Sequence, residues 1–80
     1  MRYILFVKGE CPYCTMALRL LEERNLNYKL IKFEADQKTI LQEMKDAYDW
    51  TTVPMIFYRN GNLIKFIGGY TDLLEELKNE

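Results

Sequence analysis

The stretch Cys11-Pro12-Tyr13-Cys14 decides how this chain folds and what chemistry it can carry. It holds the only two cysteines among 80 residues. Pro12 suits the first position of a helix, where a backbone N–H has no partner in any case. Two thiols at this spacing can form and break one disulfide without rearranging the rest of the fold. The stretch is therefore a candidate site of two-electron thiol–disulfide chemistry.

Composition limits what the rest of the chain can be. Eighty residues with 49% hydrophobic side chains predict one small domain over residues 1–80. A net charge of −1 gives no basic surface for nucleic acid or an anionic membrane. The chain has no histidine, which removes the usual general base and the usual metal ligand. No obvious large apolar surface stripe is present, so we expect a monomer.

The first residues predict a strand, since a signal peptide would need a longer apolar stretch and a small-residue cleavage site. No apolar run reaches the ~18 residues of a membrane span. We therefore expect a cytoplasmic protein. In that compartment disulfides are more often catalytic than structural.

Two other uses of the cysteines stay open at this point. A structural disulfide that closes a loop of about four residues would add only ~2 kcal/mol in the chain-entropy treatment. A structural zinc site needs four ligands, and two cysteines without histidine supply half of them, so we expect no metal in a single chain. Two chains could still share a metal or an iron–sulfur cluster.

Hydrophobic periodicity and turn signals predict an α/β fold in the order β-α-β-α-β-β-α. The predicted strands are Tyr3–Lys8, Tyr28–Phe33, Met55–Tyr58 and Leu63–Ile67. The predicted helices run from Pro12 to about Asn25, from an Asp36 N-cap to near Tyr48, and from Thr71 to Asn79. Asn60-Gly61 between two apolar runs predicts a hairpin with a type I′ turn. The first two strands should be parallel through a right-handed crossover.

The same patterns predict which helix faces turn inward. In the first helix, an apolar stripe at i, i+3, i+4 and i+7 comprises Cys14, Ala17, Leu18 and Leu21. Cys14 should thus face the core, while Cys11 stays outside. The inward positions expected in the second helix are Ile40, Leu41, Met44 and Tyr48, and in the third Leu73, Leu74 and Leu77.

Three motifs together carry a family resemblance: Cys-Pro-Tyr-Cys at 11–14, Thr52-Val53-Pro54, and Gly68-Gly69-Tyr70-Thr71-Asp72. In this order and spacing the chain resembles a dithiol glutaredoxin over almost its whole length. The resemblance implies the minimal thioredoxin fold, with three helices and a four-stranded mixed sheet. It implies glutathione-dependent reduction of mixed disulfides and protein disulfides, with glutathione as reducing co-substrate and ribonucleotide reductase as the usual partner.

Physical chemistry assigns roles to the two cysteines. Cys11 lies at a helix N-terminus, where unpaired N–H groups and the helix dipole favour a thiolate. Lys8 adds a positive charge three residues earlier, although a lysine at a strand end can simply be solvated. Such surroundings lower a cysteine pKa from ~8.5 into a range of ~3.5–7.5. Cys11 is therefore the predicted nucleophile and Cys14 the predicted resolving thiol.

The resemblance also implies a set of glutathione contacts, at Lys8, Tyr13, Thr52, Val53, Pro54, Thr71 and Asp72. Pro54 is expected to be cis, which exposes the backbone of Val53, beside Thr52, to pair with an extended ligand. Backbone N–H groups near Thr71 and Asp72 should take the α-carboxylate of the γ-glutamyl end, and the Asp72 carboxylate its α-ammonium. The simpler alternative is that Thr71 or Asp72 only caps the last helix.

Three details are less determined by the sequence. Tyr13 should flank the cysteinyl part of the ligand, or be an ordinary surface aromatic. The resemblance implies a polar or basic residue on the second helix for the glycine carboxylate, and Gln42 and Lys45 are the candidates. Apolar Leu41 at the expected position is a departure from the family pattern. Trp50 stands where relatives often have small or basic residues, and it could pack near the site or contact a protein partner.

Two further functions stay in view. A redoxin reduced by thioredoxin reductase would resemble this chain near the cysteines but differ at Gly68–Asp72. An iron–sulfur module shared by two chains is disfavoured by Pro12, which stiffens the loop and removes an N–H near the cluster sulfurs.

Overall fold

The computed structural model describes residues 1–34 and 37–78. Within them the order of elements is the predicted β-α-β-α-β-β-α. The strands are β1 Arg2–Lys8, β2 Tyr28–Phe33, β3 Met55–Asn60 and β4 Leu63–Gly68. The helices are α1 Pro12–Glu23, α2 Lys38–Ala47 and α3 Tyr70–Lys78. The predicted Asp36 N-cap and the predicted end of the last helix at Asn79 lie outside the described residues.

The strands form one mixed sheet in the order β2-β1-β3-β4. β1 and β2 are parallel, and α1 connects them. β3 runs antiparallel to β1, and β4 antiparallel to β3. The predicted four-stranded mixed sheet is confirmed. This order brings the end of β1, which leads into Cys11, beside the start of β3, which follows Pro54.

Each face of the sheet has its own core. On one face, Tyr3, Leu5 and Val7 of β1 pack with α1 and α3 through Ala17, Leu21, Leu73 and Leu77. On the other face, α2 packs through Leu41 onto Phe33, Met55 and Phe57. The alternation of strand side chains between the faces accounts for this division. α1 and α3 therefore lie on the same face of the sheet, and the first and third motifs lie at the N-termini of these two helices.

Two predicted inward residues of α2 are wrong. Ile40 is 51% exposed and Tyr48 is 47% exposed, while Leu41 is 3% exposed. α2 has ten residues and is covered on one narrow side, so Leu41 is buried and Met44 half-buried. Tyr48 follows the helix and packs one side of its ring on Phe57 and Phe66, leaving the other side in water.

The end of α1 and the β3–β4 turn also differ from prediction. α1 ends at Glu23, because Asn25 has a left-handed φ of 56° that no helix continues. The hairpin is present, but Asn60 pairs with Leu63, so the loop is Gly61-Asn62. Only Gly61 has a positive φ (62°) among the turn residues. That pattern is typical of a type II′ turn, with glycine first, and the predicted type I′ turn is wrong.

None of the helices in the described ranges has both the length and the apolar character needed to cross a bilayer.

Candidate active site

The β1–α1 connection places Cys11 at the N-terminus of a helix. Gly9 turns the chain with a φ of 46°, and Cys11 then adopts extended backbone as the N-cap of α1. Pro12 takes the first helical position, as its fixed φ allows. The Cys11 side chain accepts a hydrogen bond from the Cys14 backbone N–H at 3.2 Å. A sulfur held by this N–H and by the helix dipole is suited to carry negative charge.

The two cysteines form a disulfide with Cα atoms 5.2 Å apart. Cys14 is 8% exposed within the core on the α1 face, while Cys11 is half-buried at its edge. An incoming thiol therefore reaches Cys11 more readily than Cys14. This difference follows the position of each residue on α1, as the apolar stripe predicted.

The loop before β3 lies against Cys11. The Val53–Pro54 peptide bond is cis, and the Val53 carbonyl oxygen lies 3.7 Å from the Cys11 sulfur. Pro54 is buried, Val53 half-buried and Thr52 exposed. Within the described part of the chain the Val53 N–H has no hydrogen-bond partner. An extended polypeptide could therefore pair with the Val53 backbone beside the sulfur.

The third motif forms a turn into α3. Gly68 has a φ of 123°, and a Cβ there would lie 2.8 Å from Cγ of Asp72. The Asp72 carboxylate accepts a hydrogen bond from the Gly69 N–H at 2.9 Å. The first helical bond of α3 runs from the Leu73 N–H to the Gly69 carbonyl. The N–H groups of Thr71 and Asp72 are thus without an intrahelical partner and available to an anion.

One groove joins these segments, and we call it the main groove. Its volume is about 220 Å³. It is lined by Tyr13, Trp50, Thr52, Val53, Pro54, Gly69, Tyr70, Thr71 and Asp72. The structure thus brings together six of the seven predicted binding residues, with Cys11 adjacent through Val53. Tyr13 is 59% exposed, and its ring lies 6.3 Å from that of Tyr70 across the groove.

Lys8 lies elsewhere, in a pocket on the α2 face that we call the lysine pocket. Its volume is about 300 Å³, and Phe33 and Leu41 contribute its apolar lining. Lys8, Lys32, Glu34 and Lys38 also line it. No hydrogen bond or ion pair joins the Lys8 side chain to another residue of the described ranges. Lys8 lines this pocket and not the main groove.

The sequence did not identify Lys32 and Lys38 as site residues. Lys32 lies near the end of β2 and Lys38 at the start of α2, and both line the same pocket as Lys8. The predicted alternatives do not line this pocket: Gln42 donates to Asp46 at 2.9 Å along the exposed side of α2. The residues around Lys38 in the sequence are those of an ordinary helix start. Its place in the pocket depends on how α2 packs over the sheet, which the sequence did not show.

A redox-active pair at a helix N-terminus beside a Val-Pro loop, on this sheet, defines a dithiol protein of the thioredoxin fold. The family model for glutaredoxin matches residues 4–64, and the chain belongs to the glutaredoxin family. Human "Glutaredoxin-2, mitochondrial" is 44% identical over 73 residues, covering 86% of this chain and 41% of that protein. A "Probable glutaredoxin" of Acanthamoeba polyphaga mimivirus is 38% identical over 85 residues, covering 94% of this chain and 76% of that protein.

Solved structures agree with the family assignment. A buckwheat glutaredoxin–glutathione complex superposes with a TM-score of 0.80 at 25% identity, covering 96% of this chain and 68% of that one. A wheat glutaredoxin gives a TM-score of 0.80 at 28% identity, covering 98% and 73%. The chain spans about two fifths of the length of the mammalian Glutaredoxin-2 relatives it matches.

Proposed function

We propose that residues 1–80 are a glutathione-dependent thiol–disulfide oxidoreductase, a thioltransferase, in which Cys11 is the nucleophile and Cys14 the resolving thiol. The observation that carries the proposal is the Cys14 N–H donated to the Cys11 sulfur at the start of α1. That donor, together with the helix dipole, stabilises the thiolate that attacks and leaves in each step. The groove beside the same sulfur supplies the place for the second reactant.

Reduction of a protein disulfide proceeds by two exchanges. The Cys11 thiolate attacks one sulfur of the substrate disulfide, and the other substrate sulfur leaves as a thiolate that takes a proton from water. The Cys14 thiol, three residues along the same helix, loses its proton and attacks Cys11 in the mixed disulfide. The substrate leaves fully reduced, and the Cys11–Cys14 disulfide holds the two electron equivalents of oxidation.

Two molecules of glutathione then restore the dithiol. The thiolate of the first attacks the Cys11 sulfur, the more accessible of the two, and Cys14 leaves and is protonated. The thiolate of the second attacks the sulfur of the bound glutathione, so that glutathione disulfide forms and the Cys11 thiolate is released. A substrate that is itself a glutathione mixed disulfide needs only Cys11, which takes the glutathionyl group and passes it to free glutathione.

Glutathione binds in the main groove, with its sulfur at Cys11. The Val53 backbone pairs with the cysteinyl part, which Tyr13 flanks, and Thr52 and Pro54 shape this wall. The α-carboxylate accepts the N–H groups of Thr71 and Asp72, and the Asp72 carboxylate pairs with the α-ammonium. Asp72 also accepts the Gly69 N–H, and a carboxylate has lone pairs for both roles. The buckwheat glutaredoxin, solved in complex with glutathione, supports glutathione as the ligand.

The glycine carboxylate of glutathione is directed to the lysine pocket. Lys8 and Lys38 present ammonium groups there, over the Leu41 side chain that occupies the expected polar position. We prefer Lys38 to Gln42 and Lys45, because neither of these lines the pocket. Two cations around one carboxylate give a charge-assisted contact that added salt should weaken.

The proposed partner, oligomeric state and cellular location rest on the family and on the chain's composition. Ribonucleotide reductase is the proposed protein partner, on the strength of the family resemblance alone. We propose a monomer without metal in the cytoplasm, although the mammalian relatives are described as mitochondrial. Cell fractionation with an antibody against this chain would distinguish the two locations.

The test is turnover of the mixed disulfide of 2-mercaptoethanol and glutathione, coupled to glutathione reductase and NADPH. A parallel reaction replaces glutathione and its reductase by thioredoxin reductase. Turnover only with glutathione supports the proposal. Turnover only with thioredoxin reductase would make the chain a redoxin of the other class and would contradict the roles given to Thr71 and Asp72.

A further inference from the structure

Trp50, the only tryptophan of the chain, lies between the end of α2 and the loop before β3, and several contacts fix its position. Asp49 turns the chain with a left-handed φ of 51°, and the Trp50 N–H donates to the Lys45 carbonyl at 2.8 Å. The indole meets Phe66 edge to face, with ring centroids 5.3 Å apart. Its backbone and its ring are thus fixed by separate contacts, so its place in the groove wall is determined by the fold.

The indole closes one corner of the main groove. If Gly69 carried a Cβ, that atom would lie 3.6 Å from Cζ2 of Trp50 and 3.9 Å from Oδ2 of Asp72. The Gly69 N–H is the group that Asp72 already holds. Trp50 and Asp72 therefore approach the same glycine, at the end of the groove assigned to the γ-glutamyl group.

The indole N–H is the unusual feature of this corner. Nε1 is enclosed, and no described residue accepts its hydrogen. A buried tryptophan N–H ordinarily finds a partner, and leaving one unpaired is unfavourable. Nε1 and Cζ2 are bonded to the same ring carbon, so the N–H belongs to the edge that faces Gly69. An acceptor bound at that corner would lie beside this edge of the ring.

We propose that Trp50 determines specificity for the γ-glutamyl end of glutathione, by donating its indole N–H to the α-carboxylate that the N-terminus of α3 binds. The inference rests on the proposed function and extends it to a residue outside the three motifs. The ring covers the corner, and its N–H adds a third donor to those of Thr71 and Asp72. Thiols that lack a γ-glutamyl group cannot satisfy it and should bind less well.

Fluorescence of this single tryptophan gives a direct test. The ligand is S-methylglutathione, which carries no thiol and leaves the Cys11–Cys14 disulfide intact. The comparison ligand is S-methyl-cysteinylglycine, which lacks only the γ-glutamyl group. We expect a saturable change in indole emission with the first and none with the second. Emission that stays constant while calorimetry shows S-methylglutathione bound would overturn the inference.

Two variants separate the N–H from the packing of the ring. Trp50→Phe keeps an aromatic ring and loses the N–H, and it should weaken S-methylglutathione binding about tenfold, as expected for one hydrogen bond to a charged group. The matched control is Tyr48→Leu, because Tyr48 also packs on Phe66, with centroids 5.1 Å apart, but does not line the groove. Binding to the control should stay as in the parent protein. Circular dichroism verifies that both variants fold.

The outcomes distinguish this inference from the proposed function. Unchanged affinity in Trp50→Phe, or equal losses in Trp50→Phe and Tyr48→Leu, overturns the role of the N–H while glutathione turnover by the parent protein stands. If the parent protein neither binds S-methylglutathione nor turns over with glutathione, the proposed function itself fails.

Discussion

At the scale of single residues, the two cysteines differ in exposure and in partners, and their substitution should separate two reactions. Cys11→Ser removes the sulfur that accepts the Cys14 N–H, and activity should fall to background on every disulfide. Cys14→Ser leaves that nucleophile in place. It should retain turnover of glutathione mixed disulfides and lose turnover of protein disulfides, which need a second thiol. The coupled glutathione reductase assay with each substrate measures both effects.

The converse pattern would reverse the assigned roles. If Cys14→Ser were inactive on both substrates while Cys11→Ser remained active, Cys14 would be the nucleophile despite its 8% exposure.

Lys38 offers a second residue-scale prediction. Lys38→Ala removes one cation from the lysine pocket and should raise the KM for glutathione about two- to fivefold, as expected for one solvent-exposed charge pair. The effect should shrink as salt is added, because exposed charges are screened. Lys45→Ala is the matched control on the same helix, since Lys45 does not line the pocket. Equal effects of the two variants would show a general charge effect and contradict the specific contact.

At the scale of elements, Asp72 at the N-terminus of α3 has two roles, as a cap of the helix and as a proposed contact to glutathione. One substitution can remove the second role and keep the first. Asp72 is the third residue of α3, and Asp72→Asn keeps a side-chain oxygen that can accept the Gly69 N–H from this position. Its unfolding free energy should therefore stay within about 0.5 kcal/mol of the parent value. The lost charge should weaken glutathione binding about tenfold, since hydrogen bonds to charged groups are the stronger ones.

Urea denaturation and calorimetric titration with S-methylglutathione measure these two quantities separately. A large loss of stability with unchanged affinity would show that Asp72 is a cap alone, the simpler alternative that the sequence left open. Asp72→Ala serves as the reference that removes both roles, and it should lose both stability and affinity.

The elements were largely predictable because their signals are local. Pro12 indicated the start of α1, and Asn60, Gly61 and Asn62 between two apolar runs indicated the hairpin. The turn type was not predictable, because Gly61 rather than Asn60 became the first central residue once Asn60 paired with Leu63. The burial of Ile40 was overestimated for a similar reason: periodicity gives the face of a helix, but the width covered depends on what packs against it.

At the scale of the whole molecule, the site is assembled from segments far apart in sequence. Cys11 in the β1–α1 connection, Val53 before β3 and Asp72 at the start of α3 meet because β1, β3 and β4 are adjacent in the sheet. Each motif was visible in the sequence, and the resemblance supplied their joint meaning. The lysine pocket and the corner closed by Trp50 were not visible, because they depend on where α2 and its following turn lie over the sheet.

The same assembly predicts how oxidation affects stability. Each face of the sheet has its own core, and Cys14 is one member among many of the core on the α1 face. The disulfide closes a loop of only about four residues, so its reduction should lower the free energy of unfolding by no more than about 2 kcal/mol. A domain of this size has about 4–12 kcal/mol in total, and the reduced protein should remain folded.

Urea denaturation of oxidised and reduced protein, followed by circular dichroism, tests this prediction. The double variant Cys11→Ser/Cys14→Ser is the control, and it should unfold close to the reduced parent because it lacks the cross-link without needing a reductant. If reduction unfolded the chain, the disulfide would be a structural element whose cleavage destroys the fold. Cys11 and Cys14 could then not cycle during turnover, because every catalytic cycle of the proposed mechanism passes through the reduced, folded dithiol.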